Sequence, residues 1–445
     1  MQTARTSADV KEARPRQPFR NPNFCWLYAA TFSWNLARWI EMLAVGWVAF
    51  ELTGSAWDVA LTGFFRNVPL LALGLAGGLV ADRWDRRTIL IVAQVTNLLV
   101  TCAIALLLWT HHLAFWHLAV ANMLLGVTWV FDWPARRSLL PDLVHKRLVL
   151  RAFALDNLNM NMTKVLGPLL GGGLIALVGV FGCYVALGAV YSAALVALFP
   201  LVMPPRTSLA RGTSVLSNLG AGIRAARASQ AVIGVLAITV TMNMLAFPYM
   251  QVLPVFAVDV LRVGPTGLGA LGAANGLGSF IGAVVMIWYG HQARIQGWLF
   301  IIGSGLMCFA LALFAMSHWF VPCLLLLMLG GLGQASFGSL QSTIIVNNVD
   351  PEVRGRAMGI LALAIGSSPI GALLVGALSD ARGPAAGIGI CAALGLGTVV
   401  ACAVAIPGLR GVSQARPVLI PAQPPQIRHN ELGGRSYVER IRRGR

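Results

Sequence analysis

Apolar residues run in long blocks separated by short polar turns along nearly the whole of this 445-residue chain. A helix that crosses the hydrocarbon core of a bilayer needs about 20 such residues. Twelve blocks reach that length, near 24–50, 58–80, 88–110, 115–134, 153–178 and 181–203, then near 231–257, 266–290, 298–317, 320–344, 357–379 and 384–407. Blocks this long exclude a membrane β-barrel, whose strands run only ~9–11 residues. The pattern predicts an all-α membrane protein of twelve transmembrane helices.

The blocks divide six and six about residues 204–230, which hold Pro204-Pro205 and four arginines (206, 211, 224 and 227). The halves share a local plan. Gly167-Pro-Leu-Leu-Gly-Gly172 in the fifth block matches Ser368-Pro-Ile-Gly-Ala372 in the eleventh, each after a basic turn (147–151 and Arg354-Gly-Arg356). Weak internal repeats of this kind mark transporters that bind a solute between two bundles near the midplane. The expected organisation is an N-terminal tail 1–22, a six-helix bundle 23–203, a central loop 204–230, a second bundle 231–407 and a Pro-rich basic tail 408–445, disordered and facing the inner leaflet.

Composition agrees: 57% of residues are hydrophobic, 11% are charged, and mean hydropathy is +0.74, against roughly 25% charged in soluble domains. A net charge of +17 on one soluble face would point to nucleic acid, but here it sorts by turn. On the twelve-helix arrangement 28 of the 33 Lys and Arg fall on one side, two (Arg262 and Arg382) on the other, and three inside the membrane. This asymmetry orients the chain with both termini cytoplasmic, and no nucleic-acid partner is read from it. Residues 1–22 are polar and basic, and the first apolar block is too long for a cleavable leader. The seven cysteines lie scattered in apolar blocks without metal-ligand spacing, and no metal site, nucleotide-binding loop or nucleophile–base pair stands out. Two strings are lures. Gly267-x-Gly269-x-x-Gly272 lacks the preceding strand of a dinucleotide site and reads as helix packing, and Asn161-Met-Thr163 is a glycosylation triplet inside a helix.

Between the second and third blocks, Gly78-Leu-Val-Ala-Asp-Arg-Trp-Asp-Arg-Arg87 packs five charges into one turn. Its spacing, G-x-x-x-D-R-x-x-R-R, resembles the loop between helices 2 and 3 of major facilitator superfamily transporters. Leu52-Thr-Gly-Ser55, Arg66-Asn-Val-Pro69, Asp132-Trp-Pro-Ala-Arg-Arg137, Gly167-Pro168 and Val353-Arg-Gly-Arg-Ala-Met-Gly359 are similar to the branch that includes the enterobactin exporter and macrolide-efflux proteins. The resemblance spans about 24–406. It implies two pseudo-symmetric six-helix bundles, no enzymatic activity, and export of a small molecule, a siderophore, macrolide or other drug, driven by proton entry across a bacterial inner membrane.

By the same resemblance Gly78, Asp82, Arg83, Arg86, Arg87 and Asp132 form a gating latch, with Asp82 facing the helix that begins near Arg356 and Arg86 paired with Asp132. A cluster that merely orients the chain is the plainer reading. Gly290-His-Gln-Ala-Arg294, the corresponding turn of the second half, lacks the acid. Gly167, Pro168, Gly171 and Gly172 match the end of an antiporter motif of helix 5, with Thr163 in place of an earlier glycine; ordinary small-residue packing explains them as well. In helix 4, where proton-coupled drug exporters often carry an arginine four residues before a glycine, this chain has Asn122 before Gly126.

Ionisable residues inside the membrane are costly and usually face a bundle interior or an aqueous path. Arg38 and Glu41 lie three apart on one face of the first helix, about 20–25 Å from its start. Glu41 is the candidate proton carrier with Arg38 as its tuner; a purely structural ion pair is the alternative. Arg66, Asn67, Asn157, Asn161 and Lys164 make the polar side of a substrate path. Three buried cations against one acid favour an anionic or carbonyl-rich solute. The second half offers Asn243, Gln251, Asn275 and Gln334 and no charge within its blocks, so energy coupling belongs to the first half. Trp34, Trp39, Trp129 and Trp133 line a cavity or sit at interfaces. The expected partners are a small-molecule solute, protons and the bilayer, with no cofactor beyond the proton gradient and the chain acting as a monomer. Solute uptake, lysophospholipid transport and a membrane sensor that binds without transporting are the rival readings.

Overall fold

The computed structural model describes residues 18–83, 85–202, 229–289, 295–350 and 353–410, with side chains omitted over 75–83. Both tails, most of the central loop and the turn 290–294 lie outside the described residues. The chain builds eleven long helices in order: α1 Pro22–Thr53, α2 Ala56–Arg83, α3 Arg86–Trp109, α4 Phe115–Leu139, α5 Val149–Val196, α6 Gln230–Val260, α7 Pro265–Tyr289, α8 Gln296–Met316, α9 Phe320–Asn347, α10 Arg354–Arg382 and α11 Pro384–Ala405. Among the described residues nine of these, α3 to α11, are long and apolar enough to cross a membrane. The charged α1 and α2 run 32 and 28 residues.

Local chemistry fixes the ends. The Asn21 side chain accepts from the Asn23 N–H at 3.0 Å and Pro22 opens α1, while Gly54, at φ 62°, closes it in the left-handed conformation, an arrangement glycine adopts without steric cost. Asp85 caps α3, accepting from the Thr88 N–H at 3.1 Å. Two π turns, Met242–Ala246 and Phe256–Val260, interrupt α6 on either side of Pro248 and Pro254.

The 48-residue α5 contains one non-helical residue, Gly179, at φ 72° and ψ 178°. Its contacts show that the chain folds back there. The first leg runs beside α1, from Asn159, which donates to the Tyr28 carbonyl, to Gly171 against Ile40. The second leg returns, with Tyr191 at Glu41 and then Val202 bonded to Asn23. The expected fifth and sixth spans are therefore these two legs.

Helices before residue 202 pack on one another, as do those after 229, and several seams join the two sets. Gly172 and Pro168 of α5 meet Pro265, Gly269 and Gly272 of α7; Gly376 of α10 meets Trp57 and Ala60 of α2; and Gly46 of α1 meets Pro254 of α6. Ser55 donates to Asp380 at 3.3 Å at the same end of the molecule, the end away from Arg86 and Arg137. Gly269 and Gly272 of the dinucleotide-like string thus serve a helix seam. Tyr184, Tyr191, Phe256, Phe300 and Phe314 are fully buried, whereas Leu99, Leu106, Leu177, Ile287 and Val404 are exposed, as lipid-facing positions require. All seven cysteines are free.

Candidate functional site

Glu41 is buried at 1% exposure in the middle of the first helix set. Its Oε2 accepts the Tyr191 hydroxyl at 2.9 Å and lies 3.5 Å from Arg66 Nη2. Arg66 Nη1 also reaches Asn122 Oδ1 at 3.4 Å, and Asn122 donates to the Leu118 carbonyl. Gly126 packs against the Arg66 carbonyl and Pro69, and this close approach of α2 and α4 sets the arginine beside Asn122. A guanidinium from α2 thus lies beside the α4 position four residues before Gly126. Arg38 is not the ion-pair partner expected from its spacing. Its guanidinium stands 4.5 Å from the Trp129 ring centroid, with Trp34 at 6.0 Å and Trp39 at 5.9 Å. A guanidinium on aromatic faces is held by the ring quadrupoles, which leaves the Glu41 carboxylate to Arg66.

The basic end also differs from expectation. Asp132 is fully buried and pairs with Arg136, one turn along the same helix, through both carboxylate oxygens. Arg136 also reaches Thr31 at 3.3 Å and lies over the Trp34 ring at 4.9 Å. Arg86 instead bonds the Ser138 carbonyl and Asp142, with 25% and 44% of the two side chains exposed. The pairing of Arg86 with Asp132 is thereby corrected: the i, i+4 partner is nearer, and α4 carries Asp132 inward. Arg87 donates to the Phe199 carbonyl at 2.7 Å. Arg137 bonds Asp156 at 3.2 Å and Asn157 at 3.0 Å and covers Trp133 at 4.9 Å. Gly78, Asp82 and Arg83 lie in α2 where side chains are not described.

Between the helix sets, Lys164 of α5 donates to Ser279 Oγ of α7 at 2.8 Å and to Gln334 Oε1 of α9 at 2.6 Å. Gln251 lies against Gly63 of α2. Asn275 donates to the Leu327 carbonyl at 3.5 Å, and its buried Oδ1 has no partner among the described residues. Asn67, Asn161 and Asn243 each bond a carbonyl of their own helix, so these three do not converge. Gly167 and Gly171 face Trp39 and Ile40 of α1, while Pro168 and Gly172 face α7; the motif supports two seams at once.

Tyr191, Asn159 and Arg136 were not singled out from sequence, although each is buried and bonded across helices or to a carboxylate. The one available signal was the seven-residue spacing of Tyr184 and Tyr191 on an otherwise apolar helix. Among the described residues no group of His, Cys, Asp and Glu could hold a metal ion.

The MFS_3 sequence profile, described as transmembrane secretion effector, matches residues 13–430. Enterobactin exporters EntS of Shigella boydii serotype 18 and of Escherichia coli O81 are each 28% identical over 372 residues, 79% of this chain and 85% of theirs. A POT family transporter in complex with 5-aminolevulinic acid superposes with a TM-score of 0.71 at 12% identity, covering 86% of this chain and 96% of that one. An inward-facing bacterial homologue of the human lysosomal transporter Spinster gives 0.65 at 16% identity, over 88% and 97%. These last two likenesses are of fold. With the profile match covering nearly the whole sequence, the chain belongs to the transmembrane secretion effector family of major facilitator-type transporters and is a multi-pass membrane transporter, not an enzyme.

Proposed function

We propose that this transporter exports a small amphipathic molecule of siderophore type across a bacterial inner membrane by proton-coupled alternating access. Twelve helix passes, both termini cytoplasmic and a monomeric working unit complete the reading. The similarity to enterobactin exporters supports the siderophore class, and the arginine asymmetry supports the orientation.

The observation that carries the coupling is the buried set Glu41, Arg66 and Tyr191. An ionised carboxylate inside a bilayer is tolerable when a cation and a donor hold it. Protonation removes the charge that holds Arg66, and the guanidinium, still bonded to Asn122 through Nη1, is then free to turn Nη2 to a solute oxygen. Solute release and loss of the proton restore the pair. Each step moves one proton and no other covalent bond. The seams at Gly46, Gly172 and Gly376 support a state closed toward the outside, from which the bundles would rock apart. Arg66, Gln251, Gln334 and Lys164 lie on this inter-bundle path, and Asp132–Arg136 and Arg86–Asp142 are the contacts of the first-half latch.

Proteoliposomes carrying an internal pH dye, offered a panel of siderophores, macrolides and lysolipids, test this directly. Compound-triggered proton movement is expected for a siderophore and absent in Glu41→Gln. Compound movement with no proton signal would overturn the coupling.

A further inference from the structure

Several buried or half-buried cations here have a carboxylate at hand. Arg66 has Glu41, Arg136 has Asp132 and Arg137 has Asp156. Arg38 has three indole faces. Lys164 differs. It is 8% exposed, and no carboxylate lies within ion-pair distance among the described residues. Its two partners are neutral, the Ser279 hydroxyl and the Gln334 amide oxygen, and those partners are 3.2 Å apart. An ammonium has three N–H donors, so one remains beyond these two bonds. A buried charge met only by neutral dipoles is stabilised less than one met by an anion.

The three side chains stand on three helices and across a bundle seam. Lys164 comes from α5, Ser279 from α7 and Gln334 from α9. Beside them the backbones are close: a Cβ on Gly276 would meet the Lys164 carbonyl at 2.7 Å. Gln334 is half-buried, so its amide is open to exchange. The Ser279 hydroxyl can donate to the Asn275 carbonyl, at 3.0 Å, or to Gln334, and so it can swing to a new acceptor without losing its place.

We propose that Lys164, Ser279 and Gln334 form an oxyanion subsite that takes an ionised oxygen of the exported solute. The solute oxygen displaces Gln334 Oε1 from the ammonium and receives the Lys164 N–H, with Ser279 O–H or the Gln334 amide N–H as further donors. Because the donors belong to both bundles, the anion is bound best when the bundles are close at this level. Solute binding and bundle approach therefore favour each other. The inference rests on the export reading for the identity of the ligand, but its test reads binding alone, without transport or protons.

The full-length protein in detergent is titrated with three dansyl amphiphiles of equal length that end in a carboxylate, a primary carboxamide or a trimethylammonium group, followed by fluorescence polarisation. The wild type is expected to prefer the carboxylate over the amide by about tenfold or more, the scale of one charge-assisted contact. Lys164→Gln brings that ratio to near one, Lys164→Arg restores most of it, and Gln334→Leu, which removes the internal acceptor together with one of two alternative neutral donors, leaves the carboxylate preference in place because the ammonium and Ser279 remain. Unchanged thermal midpoints separate these effects from misfolding, and the Arg and Leu variants keep the proposal testable where Lys164→Gln is unstable. No carboxylate preference in the wild type, or a preference retained in Lys164→Gln, overturns the subsite. Displacement of the carboxylate probe by phosphatidylglycerol in nanodiscs, but not by the free acid, would assign the site to a lipid headgroup and overturn the solute assignment. If discrimination holds while proteoliposomes show no export, the transport reading fails and the subsite stands.

Discussion

Two ion pairs at the basic end share one chemistry and differ in burial, and burial decides what each contributes. Arg86–Asp142 is open to solvent, and pairs of this kind contribute about 0–1 kcal/mol. Asp142→Asn should therefore lower thermal stability in detergent by less than about 1 kcal/mol, and less again in high salt. Asp132 has no exposed surface and its pair with Arg136 is almost dry. Asp132→Asn strands a buried guanidinium and should cost about 3–5 kcal/mol, read as a collapse of the unfolding midpoint; equal effects of the two substitutions would contradict this. At the same scale, the sequence named Glu41, Arg66 and Lys164 correctly as buried charges, because ionisable residues are conspicuous in apolar blocks. It could not name their partners. Spacing along one helix put Arg38 with Glu41, but three indoles capture Arg38 while Arg66 and Tyr191 arrive from α2 and α5. Contacts between helices leave no trace in the periodicity of either.

At the scale of the element, α5 shows what composition can and cannot announce. Its two apolar blocks were legible, and the gap between them was placed within a residue or two of Gly179. The form of the gap was not, since a single residue makes the reversal where a loop would be the usual solution. Its φ of 72° with ψ of 178° belongs to a region essentially reserved for glycine. Gly179→Ala should cost about 1–3 kcal/mol, and insertion of two glycines after it should be tolerated better than the alanine. The paired packing of Gly167 and Gly172 on opposite neighbours adds a second constraint. A Gly172 Cβ would enter the Pro265 carbonyl, so Gly172→Leu should separate the α5–α7 seam and lower the yield of folded protein, whereas Gly173→Leu, with open space around its Cβ, should not.

For the whole molecule, the all-helical membrane fold was legible because span length and charge asymmetry are one-dimensional properties. The seams were not, for they depend on which glycines of the two halves meet. Ser55 and Asp380 lie 325 residues apart and touch at the end away from Arg86 and Arg137. Cysteines at both positions, joined by a short cleavable bis-thiol reagent, should arrest transport and release it on cleavage; undiminished flux in the crosslinked protein would rule out separation of the bundles at this end. The fold-back at Gly179 bears on biogenesis as well. The two legs share no connecting segment longer than a residue, so they are expected to enter the bilayer together as a helical hairpin. Nascent chains truncated within the 48 residues of α5 should then leave the first leg open to protease until the second has emerged, and stable insertion of the first leg alone would contradict this.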